Sequence, residues 1–285
     1  MTTPHDDRRR SNPPVEIRPL DSVAELQLAV ELQRDVWQPA DRDLVPVTEL
    51  VAASHNDGIA LGAFSEGRMV GFLFSMIGRR RDRYHQYSRM LAVHPGARGR
   101  GLGAALKLEQ KRIALQRGYT WMEWTFDPLE ARNASLNLRR LGARVRVYHR
   151  DYYGNRATRF DQGVPTDRFL AEWDLKEDLE KSGEARRAAH RRGVTAFRVQ
   201  LNAADLPVPG TVRLDLTAPV LLLPVPMPFQ PIRERFTDLA LQWRMALRES
   251  AEDAFEAGYH VVDLTPNLPN LPGCGAHVLV PEGAL

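Results

Sequence analysis

The sequence holds one cysteine, Cys274, and only four lysines, Lys107, Lys111, Lys176 and Lys181, against a large excess of arginine. A single thiol excludes an internal disulfide, a cysteine metal cluster and a paired redox site, so no metal is expected and a reducing cytoplasm fits. Cys274 lies in the Pro/Gly-rich segment 269–275 with no histidine motif around it, which argues against a nucleophile. No apolar run approaches the roughly 20 residues a membrane span needs. The first 14 residues carry Arg8 to Arg10, prolines, Asp6 and Asp7 but no apolar stretch, so they read as a disordered tail rather than a secretory signal.

What is present is a chain of 285 residues, 43% hydrophobic, enough for one large domain or two modest ones. Net charge is +3. The arginines offer planar forks suited to phosphate and carboxylate. The cluster Arg79 to Arg83 falls between two β-rich runs with little aromatic interleaving; it reads as a solvated hairpin tip, and nucleic acid is not an expected partner.

Periodicity orders the first half. A strand at 15–19 precedes a helix capped by Asp21 or Ser22 and running to Trp37. Thr48 caps a short helix to Ser54. Strands at 58–64 and 68–77 are joined by Ser65-Glu66-Gly67, a hairpin signal, and a further strand covers 88–93. A glycine-rich turn leads into a helix over 102–117 that Gly118 ends. A strand at 119–126 is broken by Asp127-Pro128, a helix over 133–141 stops at Gly142, and a strand covers 144–148. A meander leading into strand–helix–strand predicts a mixed, mainly antiparallel sheet flanked by helices.

Beyond Gly154 the pattern thins. Residues 173–192 read as a charged helix or linker, and 196–201, 211–216 and 219–224 as strands. A long helix spans 232–257, and a strand follows at 259–264. Strand, helix, Gly258-Tyr259, strand echoes the earlier strand, helix, Gly118-Tyr119, strand. The C-terminal α/β extension, 155–285, is therefore either a degenerate second copy of the first unit that packs or dimerises, or a chance repeat.

The chemistry concentrates in Arg98-Gly99-Arg100-Gly101-Leu102-Gly103, between a strand and a helix. Glycines let successive backbone N–H groups converge on an anion, the helix start adds its positive end, and two arginines add charge; the assembly suits a diphosphate. Four glycines in eight residues, Gly96, Gly99, Gly101 and Gly103, exceed what a tight turn needs. Gly99-x-Gly101-x-x-Ala104 with Glu123 about 20 residues on also fits the dinucleotide fingerprint. An upstream antiparallel hairpin and several preceding elements count against that oxidoreductase reading. A Walker loop is excluded because Gly-Lys-Ser/Thr is absent.

The turn resembles motif A of the GNAT acetyltransferase superfamily, Gln/Arg-x-x-Gly-x-Gly/Ala, matched by Arg98, Gly101 and Gly103, and Met90 to Pro95 resembles the strand before it. The likeness covers 15–154 in order of elements. It implies that the backbone of Leu91, Ala92 and Val93 pairs with the pantetheine arm of acetyl-CoA or another acyl-CoA. Arg98, Gly99, Arg100, Gly101, Leu102, Gly103 and Ala104 then hold the pyrophosphate. It implies also a splayed pair of strands, 88–93 and 119–126, with the N–H of Leu91 or a neighbour as oxyanion donor. The family's usual acid is a tyrosine in Tyr-x-Lys-x-Gly-Phe. Aligned on Gly142, that position holds Leu138, and Ala143 replaces the phenylalanine. Tyr148, Tyr152 and Tyr153 follow and are the alternative donors, unless thiolate leaves without one; each also has a structural reading. Glu123 or Asp127 is a base acting through water, or an arginine partner. Asn133 and Asn137 open the next helix, Asn133 as its cap or as a cofactor contact.

The segments Thr125 to Leu129, Arg132 to Ala134, Leu141 to Ala143 and Tyr152 to Gly154 resemble a longer bacterial subgroup of that superfamily, some of whose members N-acylate amino acids, including by succinyl transfer. The expectation is a cytoplasmic N-acyltransferase acting on a small-molecule amine, with a homodimer possible in principle. The competing class is a non-catalytic CoA-binding protein, which the missing tyrosine favours.

Overall fold

The computed structural model describes residues 13–38, 43–80, 82–154, 163–266, 268 and 273–284, the side chains of 180–182 excepted. The first 12 residues of the expected tail therefore lie outside the described residues, as do Arg81 and most of the segment before Cys274, while Pro13 and Pro14 are held by bonds to their carbonyls from Arg100 and Ser65.

Strand β1 (Glu16–Pro19) leads into helix α1 (Val23–Trp37). Ser22 caps α1, its Oγ accepting the Glu25 N–H at 3.2 Å, as its residue type predicts. Helix α2 (Val47–His55) starts at Pro46 rather than at Thr48 and has no side-chain cap bond. The hairpin β2 (Ile59–Ser65) and β3 (Arg68–Arg80) turns at Glu66-Gly67, both at positive φ. Strand β4 (Arg83–Val93) begins five residues before the expected start. Helix α3 (Leu102–Gln116), strand β5 (Trp121–Phe126) and the one-turn helix α4 (Ala131–Ala134) follow. Helix α4 continues as a π-turn over Ser135–Arg140, where the Leu141 N–H donates to the Leu136 carbonyl five residues back. Asn133 is thus inside α4, and the N-cap is Glu130.

Strand β6 (Arg144–His149) pairs with β7 (Arg168–Asp174), a strand that the sequence does not signal and whose last two residues fall in the charged segment expected at 173–192. Helix α5 (Leu179–Ala189) and the short strands β8 (Val194–Thr195), β9 (Val199–Leu201) and β10 (Pro207–Pro209) come next. The expected strand at 211–216 is irregular backbone. After β11 (Leu221–Pro226), the long helix is two, α6 (Gln230–Arg235) and α7 (Thr237–Glu256), separated at Phe236. Strands β12 (Tyr259–Thr265) and β13 (Cys274–Pro281) close the chain.

Among the described residues, eleven strands form one sheet in the order β1-β2-β3-β4-β5-β7-β6-β12-β13-β11-β8. It is antiparallel except where β4 meets β5 and β11 meets β8, the mixed, mainly antiparallel α/β class expected. Residues of α3, β5, β6, α7 and β12, among them Leu106, Phe126, Val145, Trp243 and Val261, share one core. A second core lies on the opposite face, where Leu26, Ala29 and Val30 of α1 and Leu50 of α2 cover Phe72, Phe74 and Ala92. The internal echo has a different topology in its two places. β4 and β5 are direct neighbours, whereas β13 lies between β11 and β12. No helix among the described residues is long and apolar enough to cross a membrane.

Candidate functional site

The parallel pair β4 and β5 touches at only two positions, Gln86 with Met122 and Tyr87 with Glu123. Past that apex β4 continues to Val93, held on its other edge by β3, and β5 to Phe126, held by β7. The two strands therefore diverge and leave a cleft lined by bare backbone. Two neighbouring residues of β3, Phe74 and Ser75, face Met90 and Ser88, so Arg89 is the extra residue of a bulge, which sharpens the bend. The His94 N–H donates to Val70 of β3 at 2.9 Å. Alternation along the strand then aims the N–H groups of Leu91 and Val93 into the cleft, while Ala92 faces β3. Ala92 thus lines the path by its place in the strand, not by a free amide.

At the open end of the cleft the chain turns into α3. Gly99 and Gly101 sit at φ +79° and +77°, a conformation that costs an L side chain roughly 1–2 kcal/mol. Gly101 is the N-cap of α3 and brings no side-chain cap bond, so the first-turn amides, those of Leu102, Gly103 and Ala104, lack intrahelical acceptors. The alpha carbon of Gly103 packs towards Leu91 and Leu136, the nearest atoms to an added Cβ at 3.7 and 3.6 Å. The two loop arginines are engaged: Arg98 Nε donates to the Val93 carbonyl at 3.2 Å and Arg100 Nη2 to the Pro13 carbonyl at 2.5 Å.

Sequence reasoning missed the cations opposite. The π-turn carries Arg140 to the loop, where its Nη2 stands 3.5 Å from the place a Gly101 Cβ would occupy. Arg132, Ser135, Leu136, Arg139 and Arg140, with Arg187 of α5, line a groove of about 500 Å³ beside it. Free amides at a helix start facing several guanidinium groups fit a diphosphate with a further phosphate nearby. Asn137 is buried and donates to Asn133 Oδ1 at 3.2 Å; the two stand on this same helix, Asn133 exposed.

The face of the cleft away from α3 is polar. Glu123 is buried there, its Oε1 accepting from Arg80 Nη1 at 3.0 Å and Trp121 Nε1 at 3.1 Å, with His85 Nε2 at 3.5 Å from Oε2. Arg80 also donates to Glu172 at 3.0 Å, and Arg146 donates to the same carboxylate at 2.9 Å. Of the arginine cluster, Arg80 is therefore not a solvated tip but the clamp on Glu123. This engagement, and the antiparallel β3–β4 pairing, also remove the ribose-binding role that a dinucleotide fold would give Glu123.

Tyr152 is half exposed, and its hydroxyl lies 3.3 Å from that of Tyr87. Tyr87, at the apex, was missed because nothing in the sequence marks it. Burial is the main cause that holds its phenol well above the ordinary range. Tyr148 does not reach the cleft. It pairs with Phe169 of β7, one strand beyond β5, about 10 Å from β5 at the usual strand spacing. Its hydroxyl donates to Asp167 Oδ2 at 2.6 Å, and burial, the first cause, raises its pKa. Leu138, at the usual tyrosine position, is core.

Asp127 is likewise committed. Arg244 of α7, itself buried, donates to the largely covered Oδ2 at 2.7 Å. The Arg244 guanidinium holds the Asp127 carboxyl low against the opposing effect of burial, which is the largest single influence. Cys274 is buried on β13, and burial pushes its thiol up to about 12, which removes it as a nucleophile.

Residues 23–142 match the model of the acetyltransferase (GNAT) family. No curated protein matches the chain. Among solved structures it is similar to the ribosomal-protein-S18-alanine N-acetyltransferase from Escherichia coli, at 16% identity and TM-score 0.46, over 57% of this chain and 96% of that one. It is similar also to an acetyltransferase of the GNAT family from Streptococcus pneumoniae, at 16% identity and TM-score 0.46, over 56% and 98%. A third is the PaiA N-acetyltransferase from Thermoplasma acidophilum in complex with coenzyme A, at 18% identity and TM-score 0.42, over 56% and 99%.

Proposed function

We propose that residues 23–142, which match the model of the acetyltransferase (GNAT) family, form a domain of that family, and that the chain moves an acetyl or succinyl group from coenzyme A to the amine of a small molecule, an amino acid being the best fit. The observation that carries this reading is the splayed β4–β5 pair leading to a left-handed glycine turn at a helix start. The donor is an acyl-CoA. Its pyrophosphate is held by the first-turn amides from Gly101 to Ala104 and by Arg140, with Arg132 and Arg139 near its ribose phosphate. Its pantetheine arm follows Leu91 to Val93 toward the apex, which brings the thioester to the region of Ser88. The N–H of Leu91, or that of a neighbour nearer the apex, then meets the carbonyl oxygen as charge develops on it.

The acceptor arrives from the polar face. Trp121, Arg144, Arg146, Glu172, Asp174, Lys176 and Glu177 line a groove of about 430 Å³ that borders Glu123 through Trp121 and Glu172. Its charges alternate in sign, which suits an amino acid bearing both a carboxylate and an amine. Glu123 removes the amine proton through water, from within its ion pair with Arg80, and the Tyr87–Tyr152 hydroxyl pair orients the nitrogen. Residues 15–154 form the acyl-transfer unit, and 155–285 serve as its scaffold.

Thiol release from acetyl-CoA and succinyl-CoA against a panel of amines and amino acids tests the reading. The expected result is release that depends on one amine class. Calorimetric CoA binding without release for any pair refutes it and leaves a CoA-binding protein.

A further inference from the structure

Two polar side chains of α3 lie where a helix packed on a sheet normally places apolar ones. Lys107 is 2% exposed, its Nζ sits over the Trp124 ring at 3.6 Å from the centroid, and it has no hydrogen-bond partner. Gln110 is fully buried; its Oε1 accepts the Ser88 hydroxyl at 3.2 Å, while its Nε2 has no partner. Ser88 is the first residue of β4 past the apex, and Trp124 the first residue of β5 past it. The two α3 side chains therefore straddle the cleft from beneath, one reaching each strand. Both bring N–H groups without acceptors to that place.

A buried amine with no acceptor is among the costlier things a core can hold, and the ring face of Trp124 offsets only part of that. A leucine would fill the same space. The position along the helix supplies a reason. At 1.5 Å per residue, Lys107 lies about 9 Å and Gln110 about 13.5 Å beyond Gly101. They follow the direction in which the pantetheine arm runs from the glycine turn to the apex. The thioester end of the donor thus comes to the two unsatisfied donors.

We infer that Lys107 is the proton donor to the departing sulfur, with Gln110 donating a hydrogen bond to the same thioester end; this rests on the acyltransferase reading above. The role left empty by Leu138 is filled from α3, on the opposite side of the cleft from the acceptor. The acceptor nitrogen forms the C–N bond, and the electron pair of the C–S bond leaves on sulfur. Lys107 gives one proton to that sulfur. The proton that Glu123 draws through water from the attacking nitrogen passes on to the Lys107 amine, so one proton moves from nitrogen to sulfur and charge balances without another reactant. Burial holds the Lys107 ammonium well below its ordinary range, so the group rests as the amine and carries the proton only between its uptake from nitrogen and its transfer to sulfur.

The test is Lys107→Met in the full chain, read three ways. Replacement of the unpaired amine by an apolar side chain of similar length raises Tm. CoA affinity by calorimetry and KM for the acyl-CoA stay within about threefold, because the grip on the phosphates lies elsewhere. kcat for thiol release falls about 100-fold or more, the scale of a lost general acid. A variant with raised Tm and kcat within about threefold of wild type overturns the inference and makes Lys107 a core filler. Should Lys107→Met not fold, Lys107→Gln is read by the same criteria. A wild-type chain that releases no thiol from any pair overturns the acyltransferase reading and this inference together, whereas activity that survives the substitution overturns only the latter.

Discussion

Substitution of Gly101 by alanine separates a ligand-binding turn from a merely tight one. The residue sits at φ +77°, and an added Cβ meets nothing closer than Arg140 Nη2 at 3.5 Å, an ordinary contact with a movable side chain. The cost to the fold is therefore the left-handed backbone alone, about 1–2 kcal/mol, or a few degrees in Tm. Gly118, at the other end of the same helix, provides the control. Its φ is +85° and nothing lies within 4 Å of its Cβ position, so Gly118→Ala carries the same strain far from the loop. Binding divides the two. A methyl group at Gly101 stands where the first-turn amides converge and displaces the anion from one charge-assisted hydrogen bond, worth about 1.5–3 kcal/mol. That corresponds to roughly 10- to 150-fold in Kd. Isothermal titration with CoA and thermal unfolding of both variants measure the two quantities side by side. Equal losses of Tm with a Kd raised only in Gly101→Ala are expected. If Gly101→Ala binds CoA as tightly as Gly118→Ala, the glycine turn does not hold the pyrophosphate and the donor site must be sought elsewhere.

Arg140→Ala, whose guanidinium flanks that turn, weakens CoA binding about tenfold by titration and flattens its salt dependence; an unchanged salt slope refutes the contact. Arg244→Met strips the partner from the largely covered Asp127 carboxylate and costs about 3–5 kcal/mol in urea unfolding. Adding Asp127→Asn restores a large part, and no recovery would show that the pair does not act as a unit. His277 has its pKa lowered to about 4, burial being the main cause, against about 6.5 unfolded. A depressed histidine pKa makes stability full above pH 6.5 and lost as pH falls toward 4, by about 3 kcal/mol from this group. His277→Gln keeps a donor for the Pro128 carbonyl and removes that slope; identical acid profiles for the two proteins refute the assignment. Leu138→Tyr, which puts the family's usual residue into a filled core, destabilises by about 1–3 kcal/mol without raising kcat, and a faster enzyme would show that the pocket had room for the phenol to act.

The donor half of the site was legible because its signals are local. Gly99, Gly101 and Gly103 announce a turn by composition, Gly118 announces the helix end, and the apolar stripe of α3 fixes the helix between them. The apex was not legible, for it depends on pairs distant in the chain. Arg80 reaches Glu123 across 43 residues, and Tyr87 meets Tyr152 across 65. Lys107 sits beside Leu106 in a helical pattern that reads the same whether it snorkels to water or is sealed under Trp124. Strand β7 puts Phe169, Ala171 and Trp173 in the core, and its other face mixes Arg168, Glu172 and Asp174 with a buried Leu170. The charged stretch that follows masked it. Strand β13 was hidden likewise by the proline-rich segment before Cys274. The π-turn has no sequence signal of its own, yet it is what swings Arg140 to the loop.

The second half of the chain has its clearest physical role at the corner where β5 ends. Asp127, Pro128 and Glu130 follow the strand that forms one wall of the cleft, and each is reached from beyond residue 230. Arg244 of α7 holds Asp127 at 2.7 Å, His277 of β13 lies 2.7 Å from the Pro128 carbonyl, and Arg233 of α6 is 3.5 Å from Glu130. Arg248 of α7 grips Asp167, which in turn takes the Tyr148 hydroxyl. A strand splayed from one neighbour takes its angle from its remaining contacts, here the ladder to β7 along its other edge and whatever holds its far end. Here that end is held by buried cations and a buried imidazole supplied by α6, α7 and β13, in one continuous sheet. The extension then governs the width of the cleft rather than its chemistry. Weakening any of these three contacts should raise KM for the acyl-CoA before it alters the proton transfers at the apex.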